Sequence, residues 1–290
     1  MFSKENKKSI SQSRFLYTFI LFILLIIIFS PIYPSLYNSW ITYNNDNSHC
    51  ILVPFISLFL IWKNRDHINF TIVQTSYIGL VVLSASLMIY VIGYGGGIEI
   101  LTRLAFVTAI IGLVLYNFGK KIFLHLAFPL LFLYFMIPFP IAIENLVSLR
   151  LQLWMTQISS AILNTLTIPV LREGNLLHFA NCSLEVAEAC SGIRSLTAYI
   201  MLGCLFGYMM RGSYWKRFLM VLIAVPLAFL VNIIRVVGTG ALANYFGEGI
   251  AKGFLHEFSG IVVFLLGLFI FFIIFQFLDQ KNSSQTQEPR

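Results

Sequence analysis

Charge is what this chain has least of. Asp, Glu, Lys and Arg make up 11% of its 290 residues, against about 25% in an ordinary soluble domain. A chain so poor in charge cannot cover itself with a solvated surface, which excludes a soluble globular enzyme. Cysteine is also scarce: the four, Cys50, Cys182, Cys190 and Cys204, include no CxxC pair, so no zinc site is expected, and no cofactor is implied. The glycine cluster in "YGGGIE" (Tyr94–Glu99) lacks the Gly-Lys-Ser/Thr ending of a phosphate loop. No internal repeat and no low-complexity tract interrupts the hydrophobic body. Net charge is +7, but the basic residues are dispersed between apolar runs, a pattern of membrane topology and not of nucleic-acid binding.

What fills the chain instead is hydrocarbon. Hydrophobic residues reach 58%, with 28 Phe, and several runs approach the roughly 20 residues that cross a bilayer core. The expected spans are 15–33, 48–62, 76–93, 100–118, 122–140, 196–210, 218–237 and 258–278. The N-terminal run is too long for a signal-peptide core, and "SPIYPSLYNSW" after it offers no small-x-small cleavage site, so it reads as an uncleaved span. The expectation is an all-α polytopic membrane protein, a bundle of about eight transmembrane helices. With the N-terminus in the cytoplasm, 13 basic residues fall inside and 6 fall outside or near outer span ends, the expected positive-inside bias. Residues 1–14 and 279–290 are then cytoplasmic flanks of a body at 15–278. A further crossing at 150–170 would turn everything after it over and place "RGSYWKR" outside.

Residues 141–195 become the largest outer segment. "NLVSLRLQLWMTQISSAILNTL" mixes apolar and polar residues at helical spacing, which reads as an amphipathic helix on the outer surface. "GNLLHFANCSLEVAEAC" holds two short alternating runs broken near Ala180–Asn181, which reads as a small β-hairpin.

On this topology the unusual polar residues collect at outer span ends: Cys190 and Arg194, Asn232 and Arg235, His256 and Glu257, Ser48 and His49. Ionisable groups at membrane depth are costly and are functional candidates by default. A cysteine attacks as its thiolate, and a helix N-terminus or a nearby cation lowers its pKa. Cys190 has both opportunities, with Arg194 one turn on. Ser191 follows it, Gly192 leaves room for a substrate backbone, and Glu188 precedes it. His256 suits a general base and then acid, and Arg235 a permanent charge on a developing oxyanion. These parts describe acyl transfer through a thioester. Three bland readings stand beside it: Cys190 as packing, Arg235 snorkelling to head groups, and His256 as an interfacial histidine. Cys182 could pair with Cys190 in an oxidising compartment, which would disable the nucleophile. The alternative class is a membrane transporter or channel whose outer-face arginines and histidine bind an anion.

"VAEACSGIRS" (Val186–Ser195), "NIIRVV" (Asn232–Val237) and "HEFSG" (His256–Gly260) together resemble the exosortase/archaeosortase family. "SHCILVPFISLFLIW" (Ser48–Trp62) resembles its early Ser-His segment, with Cys50 where a glycine is common, and "VLREGNLLHF" (Val170–Phe179) its approach to the cysteine strand. The resemblance implies a polytopic inner-membrane cysteine protease or transpeptidase. Its substrates are exported proteins bearing a C-terminal signal of motif, transmembrane helix and basic cluster, whose new carboxyl end passes to an acceptor. It implies Cys190, Arg235 and His256 as the triad and Arg194 in support, with Ser191, Gly192, Asn232, Glu188, Ser48 and His49 around them.

Overall fold

The computed structural model describes residues 16–41, 47–65, 75–180, 182–186, 193–211, 213–247 and 254–283, with side chains described except at 254–259 and 280–283. The chain divides into two compact units, Met1–Phe139 and Pro140–Arg290. Among the described residues, four helices are long and apolar enough to cross a membrane, and a bent pair would make a fifth.

In the first unit, α1 (Leu16–Ile28) and α2 (Ile32–Ile41) meet at 71°. Pro31 sits at the break, where it supplies no N–H and disfavours helix in the residue before it. Tyr90 donates its hydroxyl to the Ile28 carbonyl at 3.0 Å, satisfying one carbonyl that the end of α1 leaves open. Phe29, fully buried, packs on Tyr90 and Phe106. A 3-10 turn (Ser48–Ile51) leads into α3 (Leu52–Lys63). α4 (Tyr77–Gly95) and α5 (Glu99–Phe132) lie backbone to backbone: a methyl at Gly112 would stand 2.7 Å from the Leu83 nitrogen, and one at Gly79 would collide with the Tyr116 backbone. Small residues at the contact are how apolar helices gain packing where lipid offers no hydrophobic drive.

α5 is one element only in name. At Gly119 the backbone turns to φ 77°, ψ 174°, a conformation that glycine reaches without strain. The Thr108 and Tyr134 hydroxyls then meet at 2.8 Å across 26 residues of sequence. A straight helix would hold them about 39 Å apart, so the two arms run antiparallel. The expected spans 100–118 and 122–140 are these two arms. Two other expected spans, 48–62 and 196–210, coincide with shorter apolar helices.

The second unit contains α6 (Ile141–Thr165), strands β1 (Leu171–Glu173), β2 (Leu176–His178) and β3 (Ser183–Glu185), then α7 (Ile193–Met209), α8 (Tyr214–Phe246) and α9 (Phe254–Ser283). The expected surface helix is corrected here. α6 runs lengthwise along α8 in the same direction: Trp154 meets Phe229, and Leu163 clusters with Val236 and touches the place of a Gly240 methyl. Its polar stripe of Ser148, Gln152, Thr156, Ser159 and Ser160 is buried, while Leu146, Leu149, Trp154 and Ile158 face out. The amphipathicity read from the sequence is real, but its polar side packs on helices instead of water. Small hydroxyl side chains allow that close approach, and Thr156 satisfies itself on the Gln152 carbonyl at 2.6 Å.

The expected two-stranded hairpin is corrected to a three-stranded antiparallel meander, β1-β2-β3, with Glu173 opposite Leu176 and Leu177 opposite Leu184. Gly174 at φ 60° makes the two-residue turn between β1 and β2. The Asn164 amide clamps the approach, donating to the Val170 carbonyl (3.1 Å) and accepting from its N–H (3.0 Å). Leu177, Leu184 and Val186 bury one face of the sheet against Leu163 of α6 and Val236 of α8. α7, α8 and α9 form an antiparallel trio. At one end the Arg211 N–H donates to the Asp279 carboxylate at 2.9 Å, and Lys216 reaches the Leu278 carbonyl. Further along, Tyr199 donates to the Phe264 carbonyl at 2.9 Å.

Candidate functional site

The sheet ends beside α8. Val186 shares a core with Val236, and Val236 is the neighbour of Arg235 on α8. Arg235 lies 21 residues beyond Tyr214, about 31 Å along the helix axis, close to the roughly 30 Å of a hydrocarbon core. It therefore sits one bilayer thickness from the end that carries Arg211, Lys216 and Arg217.

The Arg235 guanidinium crosses to α9 and rests on Gly260. A methyl built on Gly260 would lie 2.9 Å from Nη2 and 3.0 Å from Cζ. Those separations are tighter than the ordinary carbon contact of about 3.5–4.0 Å, so the missing side chain makes the seat. His256 precedes Gly260 by four residues on the same helix, and residues four apart share one face. Asn232, buried at 3% exposure, lies three residues before Arg235 on α8. The Thr239 hydroxyl donates back to the Arg235 carbonyl at 2.8 Å.

Arg194 stands in the first turn of α7, half-buried and ahead of the apolar run of that helix. Burial first, and the Arg235 charge second, push its pKa down from the ordinary value. An arginine starts so far above neutrality that it keeps its proton. The second of these effects requires the two guanidiniums to share one neighbourhood. The N-terminus of α7 brings its positive dipole end to the same neighbourhood.

The sequence-predicted residues divide sharply. Arg194 and Arg235 are brought together, with Asn232 and the Gly260 turn of α9 beside them. Cys190, Ser191, Gly192 and Glu188 lie outside the described residues, as does the His256 side chain. Ser48 and His49 belong to the first unit, in the 3-10 turn before α3, with His49 Nε2 at 3.8 Å from the Cys50 thiol. The Cys182–Cys190 disulfide weighed above falls on Cys190, outside the described residues; the Cys182 thiol donates to the Ala243 carbonyl of α8 at 3.4 Å. Sequence reasoning missed Gly260 as the seat of the Arg235 guanidinium. It stood inside the quoted "HEFSG", and its signal was an invitation to ask what larger group needed that space.

These features define a multi-pass, mostly helical membrane protein with an arginine pair gathered at one end of a three-helix trio. A family model described as transmembrane exosortase (Exosortase_EpsH) matches residues 40–273, well over half of the chain, and the chain belongs to that family. Neither a curated protein nor a solved structure matches it.

Proposed function

We propose that this chain is a membrane-embedded cysteine transpeptidase that cleaves C-terminal sorting signals of exported proteins and passes the new carboxyl end to an acceptor. The observation that carries this reading is the seating of Arg235 on Gly260, one helical turn from His256, with Arg194 alongside. Cys190 lies outside the described residues and is included because it precedes Ile193, the first residue of α7, by three positions in the sequence.

In the proposed reaction the Cys190 thiolate attacks the scissile carbonyl carbon, and Arg235 stabilises the oxyanion that forms. The C–N bond then breaks, and His256 delivers to the departing amine the proton it took from the thiol. The thioester left on Cys190 is opened by the acceptor nucleophile, whose proton passes to His256, and this restores the thiolate and the protonated imidazole. Arg194 and the N-terminus of α7 hold that thiolate charged between turnovers. Transmembrane tails of substrates run beside the bundle and bring their juxtamembrane peptide bond to this level.

The site faces away from the cytoplasm in this reading. Arg211, Lys216, Arg217 and Lys281 belong to the opposite end of the trio, and basic ends stay inside. Residues 15–278 form the catalytic body in an inner membrane, the polar tail at 279–290 is its cytoplasmic flank, and the basic stretch at 1–14 shares that side if an even number of crossings lies between it and α8. An anion transporter is less favoured, because its cations belong near mid-bilayer.

The test is mass spectrometry of co-expressed substrate tails. A processed protein joined to a new group supports transfer, and one ending in a free carboxylate supports hydrolysis. Uncut tails with the wild-type chain, or normal cutting with Cys190→Ala, would overturn the proposal.

A further inference from the structure

We propose that the first unit holds one acyl chain of an anionic glycerophospholipid in a groove between α1, α3 and the two arms of α5, with the lipid phosphate at Lys120 and Lys121. A cavity of about 440 Å³ opens there. Phe22 of α1, Ser57 and Ile61 of α3, and Val114 and Leu126 from opposite arms of α5 contribute its walls. The Ser57 hydroxyl is spent on the Pro129 carbonyl at 2.7 Å, which leaves the wall apolar. The volume falls in the ligand-pocket range of roughly 300–1,000 Å³. It is too small for a helix of any length, since one turn about 10–12 Å across and 5.4 Å tall fills roughly 400–600 Å³. A flexible hydrocarbon chain is the occupant that fits.

The mouth supplies the charge. Phe118 and Ile122 line the cavity on either side of the Gly119 break, and Lys120 and Lys121, both exposed, stand between them. On α3, Lys63 follows the lining residue Ile61 by two positions. Next to it the Arg65 guanidinium lies over the Trp62 ring at 4.8 Å, the amphipathic pairing found at head-group level. Depth agrees as well. The lining residues Ile110 and Leu133 stand 9 and 14 residues from Gly119, about 14–21 Å along their arms. One leaflet of hydrocarbon is about 15 Å deep. The groove therefore reaches through about one leaflet from Lys120 and Lys121, and phosphate with an attached acyl chain complements both parts.

Two measurements on the purified full chain decide it. Native mass spectrometry with phosphatidylglycerol and with phosphatidylcholine of the same acyl chains should show preferential retention of the anionic lipid. Lys120→Ala and Lys121→Ala should each weaken that retention about fivefold, and Arg211→Ala should leave it unchanged. A phosphatidylglycerol bearing a diazirine midway along one chain should label 57–61 and 114–126. Equal retention of the two lipids, or retention that survives the double lysine variant, overturns the proposal. So does labelling spread evenly onto the outward residues Val81 and Val91 of α4, which would mean head-group attraction with no seated chain.

Discussion

Replacing Gly260 with alanine separates the site from the fold. The added methyl would come within 2.9 Å of Arg235 Nη2 and 3.0 Å of Cζ. Ordinary contact begins near 3.5 Å, so the guanidinium must retreat by about 0.5–1 Å. It is the far end of a flexible side chain, and that retreat is cheap for the fold. Helix propensity moves the other way, since alanine is favoured over glycine in a helix interior by about 1 kcal/mol. Stability should hold or rise slightly. Activity should fall, because a misplacement of about 1 Å in a preorganised site can cost about 100-fold. We expect Gly260→Ala to insert normally, to melt no lower than wild type, and to process a tagged substrate about 10- to 100-fold more slowly. Gly238→Ala on α8 is the matched control. A methyl there meets nothing within 4 Å, and processing should be unchanged. The assay is single-turnover cleavage of a substrate tail in proteoliposomes, with thermal melting of the same samples. Wild-type cleavage by a correctly folded Gly260→Ala protein would refute the placement of Arg235 against α9 as a catalytic arrangement.

Arg235→Ala should reduce cleavage by about 100- to 1,000-fold, the usual loss when one oxyanion donor is removed, and normal cleavage would return Arg235 to the role of a snorkelling side chain. Cys190→Ser should leave precursors uncut in an inserted protein, and an impermeant thiol reagent added from outside should label Cys190 in intact cells. Labelling only after lysis would mean that the trio is inverted. Leu177→Ala, at a fully buried site in the sheet core, should cost about 2–5 kcal/mol by thermal or denaturant melting, and should slow cleavage because the sheet positions the strand before Cys190. Gly79→Ala should destabilise the first unit, because its methyl meets the Tyr116 backbone, which cannot yield.

The sequence was most legible where one residue type carries one physical demand. Apolar runs located the helices, and the lysine pair at 120–121 marked the junction that Gly119 turns. Span count put Arg194 and Arg235 at the ends of successive apolar runs, and the structure brings the two together. It was least legible at α6, where periodicity reports two unlike faces but not what covers them. Ser148, Gln152 and Thr156 look alike whether they meet water or another helix. Only the contacts of Trp154 with Phe229 and of Leu163 with Val236 decide between the two. The first strand of the sheet was missed for a related reason. Three residues at Leu171–Glu173 are too short to show alternation, and their pairing depends on the turn at Gly174.

The packing of α6 also bears on topology. Its ends lie at opposite ends of the α8 contact, so the chain enters α6 far from the sheet and leaves it beside the sheet. The distribution of basic residues within the second unit does not depend on how many helices precede it. Lys216 and Arg217 lie about 27–29 Å from Arg235 by helix length alone, and Arg211 precedes the helix. The proposed outward direction of the arginine pair therefore rests on the second unit alone, and the side on which residue 14 lies depends on the number of crossings before α8. Reporter fusions at 14, 212 and 284 separate the two questions. Cytoplasmic signals at 212 and 284 are expected whatever residue 14 shows, and an external signal at 212 would put Arg194 and Arg235 on the cytoplasmic face, out of reach of exported substrates.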